Sequence, residues 1–281
     1  MMITACFCAD SNYKNLLETA FYSFSRENKG SRVYILKYDD FDDNILKLIA
    51  VEQSIILTIH LLYDEVLPSI GRFSKAMYGR FHLYNIIQEK RFLYLDCDVI
   101  VNGSLKELFS LEFSENNIAM VKDIDSVITD SLKKKFNIEN YYNSGVILFN
   151  KSDVVSEKIK SVILFLKENA ENLVYPDQDA INFIFSGCIY SLDVSYNYMY
   201  SDKCNQEPKI VHYAQFKPWS FGKKSAYTYL YDNIVNCNPY DIKPFQVEYT
   251  IYSIIMTKLK CKLMNFGFFK FLQKVYWNYG K

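Results

Sequence analysis

Along the first hundred residues, short apolar runs alternate with longer stretches of helical period. Ile3 to Cys8 is almost unbroken in its apolar character and predicts a short buried strand. The polar turn Asp10-Ser11-Asn12 ends it, and Tyr13 to Ser25 follows with the spacing of a helix. Val33 to Leu36 predicts a second strand, Asp42 to Gln53 a second helix and Ile55 to Leu62 a third strand. A helix from about Ser74 to Ile87 then leads into a fourth strand, Phe92 to Leu95. This rhythm predicts an α/β fold with a mainly parallel central sheet flanked by helices, the Rossmann-like plan. Open sheets of that kind take ligands beyond the carboxyl ends of their strands, where Asp10 and Asp96 fall.

The second half is less regular. Ile118 to Val121 and Val146 to Phe149 read as strands, Val154 to Glu168 and Asp179 to Phe185 as helices. Ile210 to His212 closes a short strand before Lys217-Pro218-Trp219. No repeat or low-complexity linker divides the chain. Its character changes after about Glu248. From Thr250 to Lys281 six lysines and no acid are interleaved with Tyr252, Phe266, Phe268, Phe269, Phe271, Tyr276 and Trp277. A basic, aromatic, helical segment of this kind is expected to contact an anionic membrane surface. The alternative is a helix that packs its aromatics on the core and leaves its lysines in water.

Composition narrows the picture. A chain of 281 residues suits one large domain with at most a modest appendage, and half of its residues are hydrophobic. Lys plus Arg and Asp plus Glu both number 32, so no global field draws the chain to nucleic acid. The seven cysteines form no CxxC pair; they read as small buried hydrophobes of a reducing compartment. The N-terminus lacks a basic leader pattern, Asp10 interrupts its first apolar run, and no segment approaches the ~20 apolar residues of a membrane span. The expected location is the cytoplasm, at the inner face of the membrane if the tail docks there.

The sharpest chemical feature is Phe92-Leu93-Tyr94-Leu95-Asp96-Cys97-Asp98-Val99-Ile100-Val101. Two carboxylates one residue apart, at the end of an apolar strand, repel each other and need a cation. Hard oxygen ligands suit Mn²⁺ or Mg²⁺, and such an ion stabilises a departing diphosphate as a Lewis acid. Two reaction types use a strand-end Asp-x-Asp. A haloacid-dehalogenase-like phosphatase takes the first Asp as nucleophile, on an early strand, with Thr or Val four residues on. Here that position is Ile100 and three strand–helix units precede it, so a nucleotide-sugar transferase fits better. His212, at the end of a predicted strand, is a core histidine taken alone and a third metal ligand taken with the Asp-x-Asp. His60 and His82 read as structural.

Six segments together resemble glycosyltransferase family 8, retaining enzymes of the GT-A fold. They are Ala9-Asp10-Ser11-Asn12-Tyr13, Tyr78-Gly79-Arg80, Leu93-Tyr94-Leu95-Asp96-Cys97-Asp98, Tyr142-Asn143-Ser144-Gly145-Val146, Asp177-Gln178-Asp179, and His212-Tyr213 with Lys217-Pro218-Trp219. They occur in the family's order and cover about Met2 to Trp219. The resemblance implies a GT-A domain over residues 1–220, followed by the basic aromatic extension at 221–281. It implies a UDP-hexose donor, glucose or galactose, and a lipid-linked or cell-surface glycan acceptor.

The implied roles are specific. Asp10 and Asn12 hold the uridine, with Cys8 and Cys97 in the same pocket, and Arg80 sits near the diphosphate or donor sugar. Asp96, Asp98 and His212 bind the metal, and Lys217 neutralises diphosphate charge. Asn143 and Asp177 hydrogen-bond the donor sugar. Gln178 matches the position where a retaining enzyme would carry a carboxylate nucleophile; an amide is a poor one, which favours a front-face route in which the leaving diphosphate helps deprotonate the acceptor. Singly, Arg80 reads as a surface ion pair, Asn143 as a turn former and Asp177 as a helix cap. The chain departs from the family at one loop. Lys217 follows His212 by five residues where the family has six, and Gln215 stands where it has Gly, so the loop over the diphosphate is expected to take another path. A catalytically inactive sugar-nucleotide binding protein is the competing class.

Overall fold

The computed structural model describes residues 2–62 and 75–246. Its elements run β1 (Thr4–Ala9), α1 (Lys14–Glu27), β2 (Arg32–Lys37), α2 (Asn44–Glu52), β3 (Ile56–Leu61) and α3 (Gly79–Ile86). There follow β4 (Arg91–Leu95), β5 (Val99–Val101), α4 (Lys106–Ser110), β6 (Ile118–Lys122), α5 (Val127–Phe136) and β7 (Tyr142–Asn150). The remainder is α6 (Asp153–Asn169), α7 (Pro176–Ile184), β8 (Ile189–Ser191), β9 (Ile210–His212) and α8 (Thr228–Cys237). Ser74, expected to start the helix before β4, and the basic aromatic tail from Thr250 to Lys281 lie outside the described residues.

The main sheet has the order β3-β2-β1-β4-β7-β6-β8. The pairs among β3, β2, β1 and β4 are parallel, as is β6 with β8. β7 runs against both its neighbours, β4 and β6. The mainly parallel α/β sheet read from the sequence is therefore present, with one reversed strand near its middle.

Helices cover both faces, which explains why the strands read as continuous apolar runs instead of alternating ones. Side chains still alternate between two cores. Ala5 and Phe7 of β1, Leu93 and Leu95 of β4, and Val146 and Leu148 of β7 join one core beneath α1. Cys6, Phe92, Tyr94, Ile147 and Phe149 join the other, beneath α3, α6 and α7. Phe92 and Phe149 stack there with centroids 5.1 Å apart, across the register pair that binds β4 to β7.

Local signals fix several helix ends. Ser126 and Thr129 form a capping box at the start of α5, and Asn137 ends that helix in the left-handed region at φ 51°. Ser152 caps α6, and Pro176 opens α7 at a position that needs no N–H. The chain stays on the first core beyond residue 220: Tyr231, Ile234, Tyr240 and Ile242 are buried in it. Phe245 then stacks on Tyr13 at 5.8 Å. Among the described residues no helix is long and apolar enough to cross a membrane.

Candidate active site

The main strand β4 stops at Leu95, Asp96-Cys97-Asp98 turns, and Val99 starts β5 in a second, two-stranded sheet with β9. That antiparallel pair sets Val99 opposite His212 and Val101 opposite Ile210. The backbone N–H of Tyr213 donates to the Asp98 carbonyl at 2.9 Å. Pairing thus brings a histidine 114 residues away to the second aspartate. One ligand atom each from Asp96, Asp98 and His212 lie within 4.8 Å of one another.

β7 forms the wall beside them. The Asp96 N–H donates to the Gly145 carbonyl at 2.8 Å. A Cβ on residue 145 would stand 2.2 Å from His212 Cε1 and 2.9 Å from Asp96 Oδ2. Glycine is needed here for close approach, so Gly145→Ala must push the imidazole or the carboxylate aside. We expect its Mn²⁺ affinity to fall about 10- to 100-fold, the range for disturbing the groups that orient metal ligands. Titration of the folded variant with Mn²⁺ checks this, and an unchanged affinity would mean that neither side chain has to move for binding.

Each aspartate has its own cation. Asp96 Oδ1 accepts from Tyr94 Oη at 2.8 Å and from Arg80 Nη2 at 3.1 Å. Burial raises the Asp96 carboxyl above its usual range, with Arg80 pulling the other way. Asp98 Oδ1 lies 3.1 Å from His212 Nε2, and Asp98 Oδ2 accepts from Lys217 Nζ at 2.6 Å. Burial would raise Asp98 too, but Lys217 and His212 outweigh it and hold the carboxyl well below the usual range. In return Asp98 lifts Lys217 against the burial that would lower it. The loop from His212 to Lys217, expected to take another path, brings Lys217 onto the Asp-x-Asp.

Arg80 is 2% exposed, and its expected alternative as a surface ion pair does not hold. Its Nη1 pairs with Asp177 Oδ2 at 3.0 Å and also donates to the Ser144 carbonyl. Nε donates to the Met77 carbonyl at 2.9 Å, and the guanidinium lies 4.3 Å from the Tyr94 ring centroid. It gets this deep because α3 starts hard against β1. A Cβ on Gly79 would stand 2.0 Å from Cys8 Sγ.

The amides form the other half of the site. Pro176 starts α7 so that Asp177 and Gln178 both face β7. Asp177 Oδ2 accepts from Ser144 Oγ at 2.9 Å. Gln178 Oε1 accepts from the Ser144 N–H at 3.0 Å and from Asn143 Nδ2 at 3.1 Å. Gln178 Nε2 donates to Asp123 Oδ2 at 2.8 Å. Burial raises the Asp123 carboxyl, against the Ile124 N–H and Gln178. Asp179, the third residue of that motif, is fully buried, and its carboxylate accepts from the Val174 N–H at 2.8 Å and from the Tyr141 hydroxyl. It holds the start of α7 in place.

Asp10 and Asn12 lie at the carboxyl end of β1. Asp10 Oδ1 accepts from the Asn12 N–H at 3.0 Å and caps the single turn Ser11–Tyr13, which leaves the Asn12 side chain exposed. Cys8 and Cys97 are buried, and Cys97 Sγ donates to the Cys8 carbonyl at 3.2 Å. Burial pushes both thiols up, so they remain protonated and tie the ends of β1 and β4 together. His60 stacks on Tyr34 at 6.3 Å, on β3 and β2. Sequence reading missed Asn197, which is fully buried and links His212 to Asn143. Tyr13 closed the first of the family-like segments and was given no role there. It is 42% exposed, at the carboxyl end of β1, with its ring stacked on Phe245.

The donor set suits a divalent cation with a preference for oxygen. Two carboxylates and one imidazole is a ligand set for Mn²⁺ or Mg²⁺. These three residues fit a metal.

Residues 5–222 match the family described as glycosyl transferase family 8. Among curated proteins, the glycosyltransferase GlyB of Streptococcus pneumoniae is 29% identical over 238 residues, covering 76% of this chain and 56% of GlyB. A lipopolysaccharide 1,2-glucosyltransferase of Escherichia coli is 26% identical over 267 residues, 84% of this chain and 79% of the enzyme. The chain spans about half the length of GlyB and of its relative GlyE, 56% in each case. Among solved structures, galactosyltransferase LgtC in complex with donor and acceptor sugar analogs superposes with a TM-score of 0.70. It is 21% identical, with 84% of this chain and 96% of LgtC covered, and the likeness is one of fold.

Proposed function

Since the chain belongs to glycosyl transferase family 8, we propose that it moves a hexose, glucose or galactose, from a UDP-sugar to a lipid-linked or cell-surface glycan with retention of configuration. The observation that carries this reading is the junction of β4, β5 and β9, where Asp96, Asp98 and His212 come within 4.8 Å with Lys217 on Asp98. Asp96, Asp98 and His212 would hold a divalent metal, which when bound would supply a Lewis acid for the diphosphate. Lys217 offers its ammonium beside it, 35% exposed at the side chain, and can pass from Asp98 to the diphosphate as charge develops there. Asp10 and Asn12, with the Tyr13 ring, are assigned to the uridine. Cys8 and Cys97 would line the floor of that pocket.

Asn143, Asp177 and Gln178 are assigned to the donor sugar and the reacting centre. Gln178 is held from two sides, by the Ser144 N–H and by Asp123, so its amide is fixed in orientation. Such an amide orients substrate and stabilises charge; it does not supply a carboxylate nucleophile. This supports the front-face route, in which the leaving diphosphate takes the acceptor proton. The six lysines and many aromatics between Thr250 and Lys281 support peripheral contact with an anionic membrane, where the acceptor would be presented.

The test is UDP release from a panel of UDP-sugars with Mn²⁺, without and with EDTA. Release from one preferred UDP-hexose, lost with the chelator, is the expected outcome, and mass spectrometry should find no glycosyl adduct on Gln178. Absence of release from every donor by folded protein would rule out the UDP-hexose assignment. A trapped Gln178 adduct would replace the front-face route by a double displacement.

A further inference from the structure

Asn197 is fully buried just after the turn Val194–Tyr196, and no role assigned above uses it. Its side chain bridges two residues that do have roles. Oδ1 lies 2.9 Å from His212 Nδ1, and Nδ2 lies 3.0 Å from Asn143 Oδ1. The two ends of an amide have the same shape, so their identity must come from the neighbours. Here backbone groups decide it. The Gly145 N–H can only donate, and it lies 3.0 Å from the Asn143 side chain, so that end of Asn143 is its oxygen. That oxygen must receive a donor from Asn197, which turns Asn197 Nδ2 toward Asn143 and Asn197 Oδ1 toward His212. An amide oxygen only accepts, so the contact with Asn197 calls for a proton on His212 Nδ1. The Asp98 carboxylate, 3.1 Å from Nε2, is an acceptor too, so in the metal-free chain it competes with Asn197 for the single proton of a neutral ring.

The other end of the chain is fixed the same way. The Ser144 N–H marks the Gln178 atom at 3.0 Å as oxygen, so Asn143 Nδ2 donates to it and Gln178 Nε2 donates to Asp123. Four hydrogen bonds therefore run in one direction, from His212 through Asn197, Asn143 and Gln178 to the Asp123 carboxylate.

We infer that Asn197 is a positioning residue that locks His212 in its Nδ1–H tautomer and so keeps the Nε2 lone pair turned toward the aspartates for a divalent metal. This rests on reading Asp96, Asp98 and His212 as metal ligands, and it adds the device that prepares the histidine. Without Asn197 the ring is free to carry its proton on Nε2. It then donates to Asp98, 3.1 Å away, and has no lone pair to offer on that side. The directional chain also couples the metal half of the site to the sugar half, because Asn143 cannot turn over without reversing Asn197.

The experiment uses the metal-free full chain labelled with nitrogen-15 histidine, above the usual histidine titration range. Two-bond nitrogen–proton correlations distinguish the tautomers. The chain has three histidines, and a His212→Gln spectrum assigns the third. Wild-type His212 should appear as Nδ1–H. Asn197→Ala should shift it to Nε2–H or a mixture, and Mn²⁺ titration by electron paramagnetic resonance should show affinity about 10- to 100-fold weaker. Finding Nε2–H, or both nitrogens protonated, in the wild type overturns the inference with no variant needed, so the test stands even if Asn197→Ala fails to fold. A folded Asn197→Ala with unchanged tautomer and unchanged Mn²⁺ affinity also overturns it. Wild-type protein that takes up no Mn²⁺ would instead defeat the metal reading, while the tautomer of the metal-free chain still answers for Asn197.

Discussion

Replacing Asp98 by asparagine should lower Mn²⁺-dependent UDP release by at least about 10³-fold, the loss that goes with several kcal/mol of metal-derived transition-state stabilisation. Asp98 makes two contacts at once, to His212 Nε2 at 3.1 Å and to Lys217 Nζ at 2.6 Å. The amide keeps the size of the carboxylate and removes the charge. It is a weaker metal ligand and releases Lys217 from the ion pair that holds it on the Asp-x-Asp. The fold should survive, because Lys217 is 35% exposed and can turn to water, and the Asp98 carbonyl keeps its bond from the Tyr213 N–H. Far-ultraviolet circular dichroism controls for folding, and UDP release gives the rate. A folded Asp98→Asn protein with more than about a tenth of wild-type release would be incompatible with a Lewis-acid role at this position.

Arg80→Met should be the most destabilising single change in the site, costing about 3–5 kcal/mol in urea unfolding, as for removal of one partner from a buried ion pair. The guanidinium joins Asp96 and Asp177, the Ser144 and Met77 carbonyls and the Tyr94 ring. Asp177 contributes most of the cost, since its side chain is 10% exposed while that of Asp96, at 28%, can recruit water. Methionine fills much of the volume, so the loss measures charge and hydrogen bonding more than packing. Arg80→Lys should recover less than half of it, because one ammonium cannot reach these partners from a planar fork. A loss below about 1 kcal/mol for Arg80→Met would mean that the carboxylates are solvated or protonated, contrary to their burial.

Much of this site could be read from the sequence, for reasons that differ by residue. The Asp-x-Asp stood out because charges at the end of an apolar strand have no structural use. Gly145 and Gly79 belonged to segments of the family pattern, and the close approaches that require them are visible only in space. Arg80 was placed near the diphosphate, yet its burial beneath Asp96 could not be inferred from a helix whose carboxylate partners lie 16 and more positions away. Asn197 gave no signal at all. It sits in a short turn among tyrosines, and its importance comes from two atoms on β7 and β9 that local sequence does not mention. The reversed strand β7 escaped as well, since a strand buried on both faces looks the same in either direction.

The sequence by itself determined the alternation of strands and helices in the first half, the pair of aspartates and the family to which the chain belongs. These are properties of neighbouring residues: side-chain period, turn chemistry and the misfit of charge in an apolar run. Tertiary structure alone decided the direction of β7, the contact of Lys217 with Asp98, and the tautomer that Asn197 imposes. Each depends on strand pairing and hydrogen-bond direction between residues far apart in the chain, and a linear pattern holds no record of which distant donor will face which acceptor.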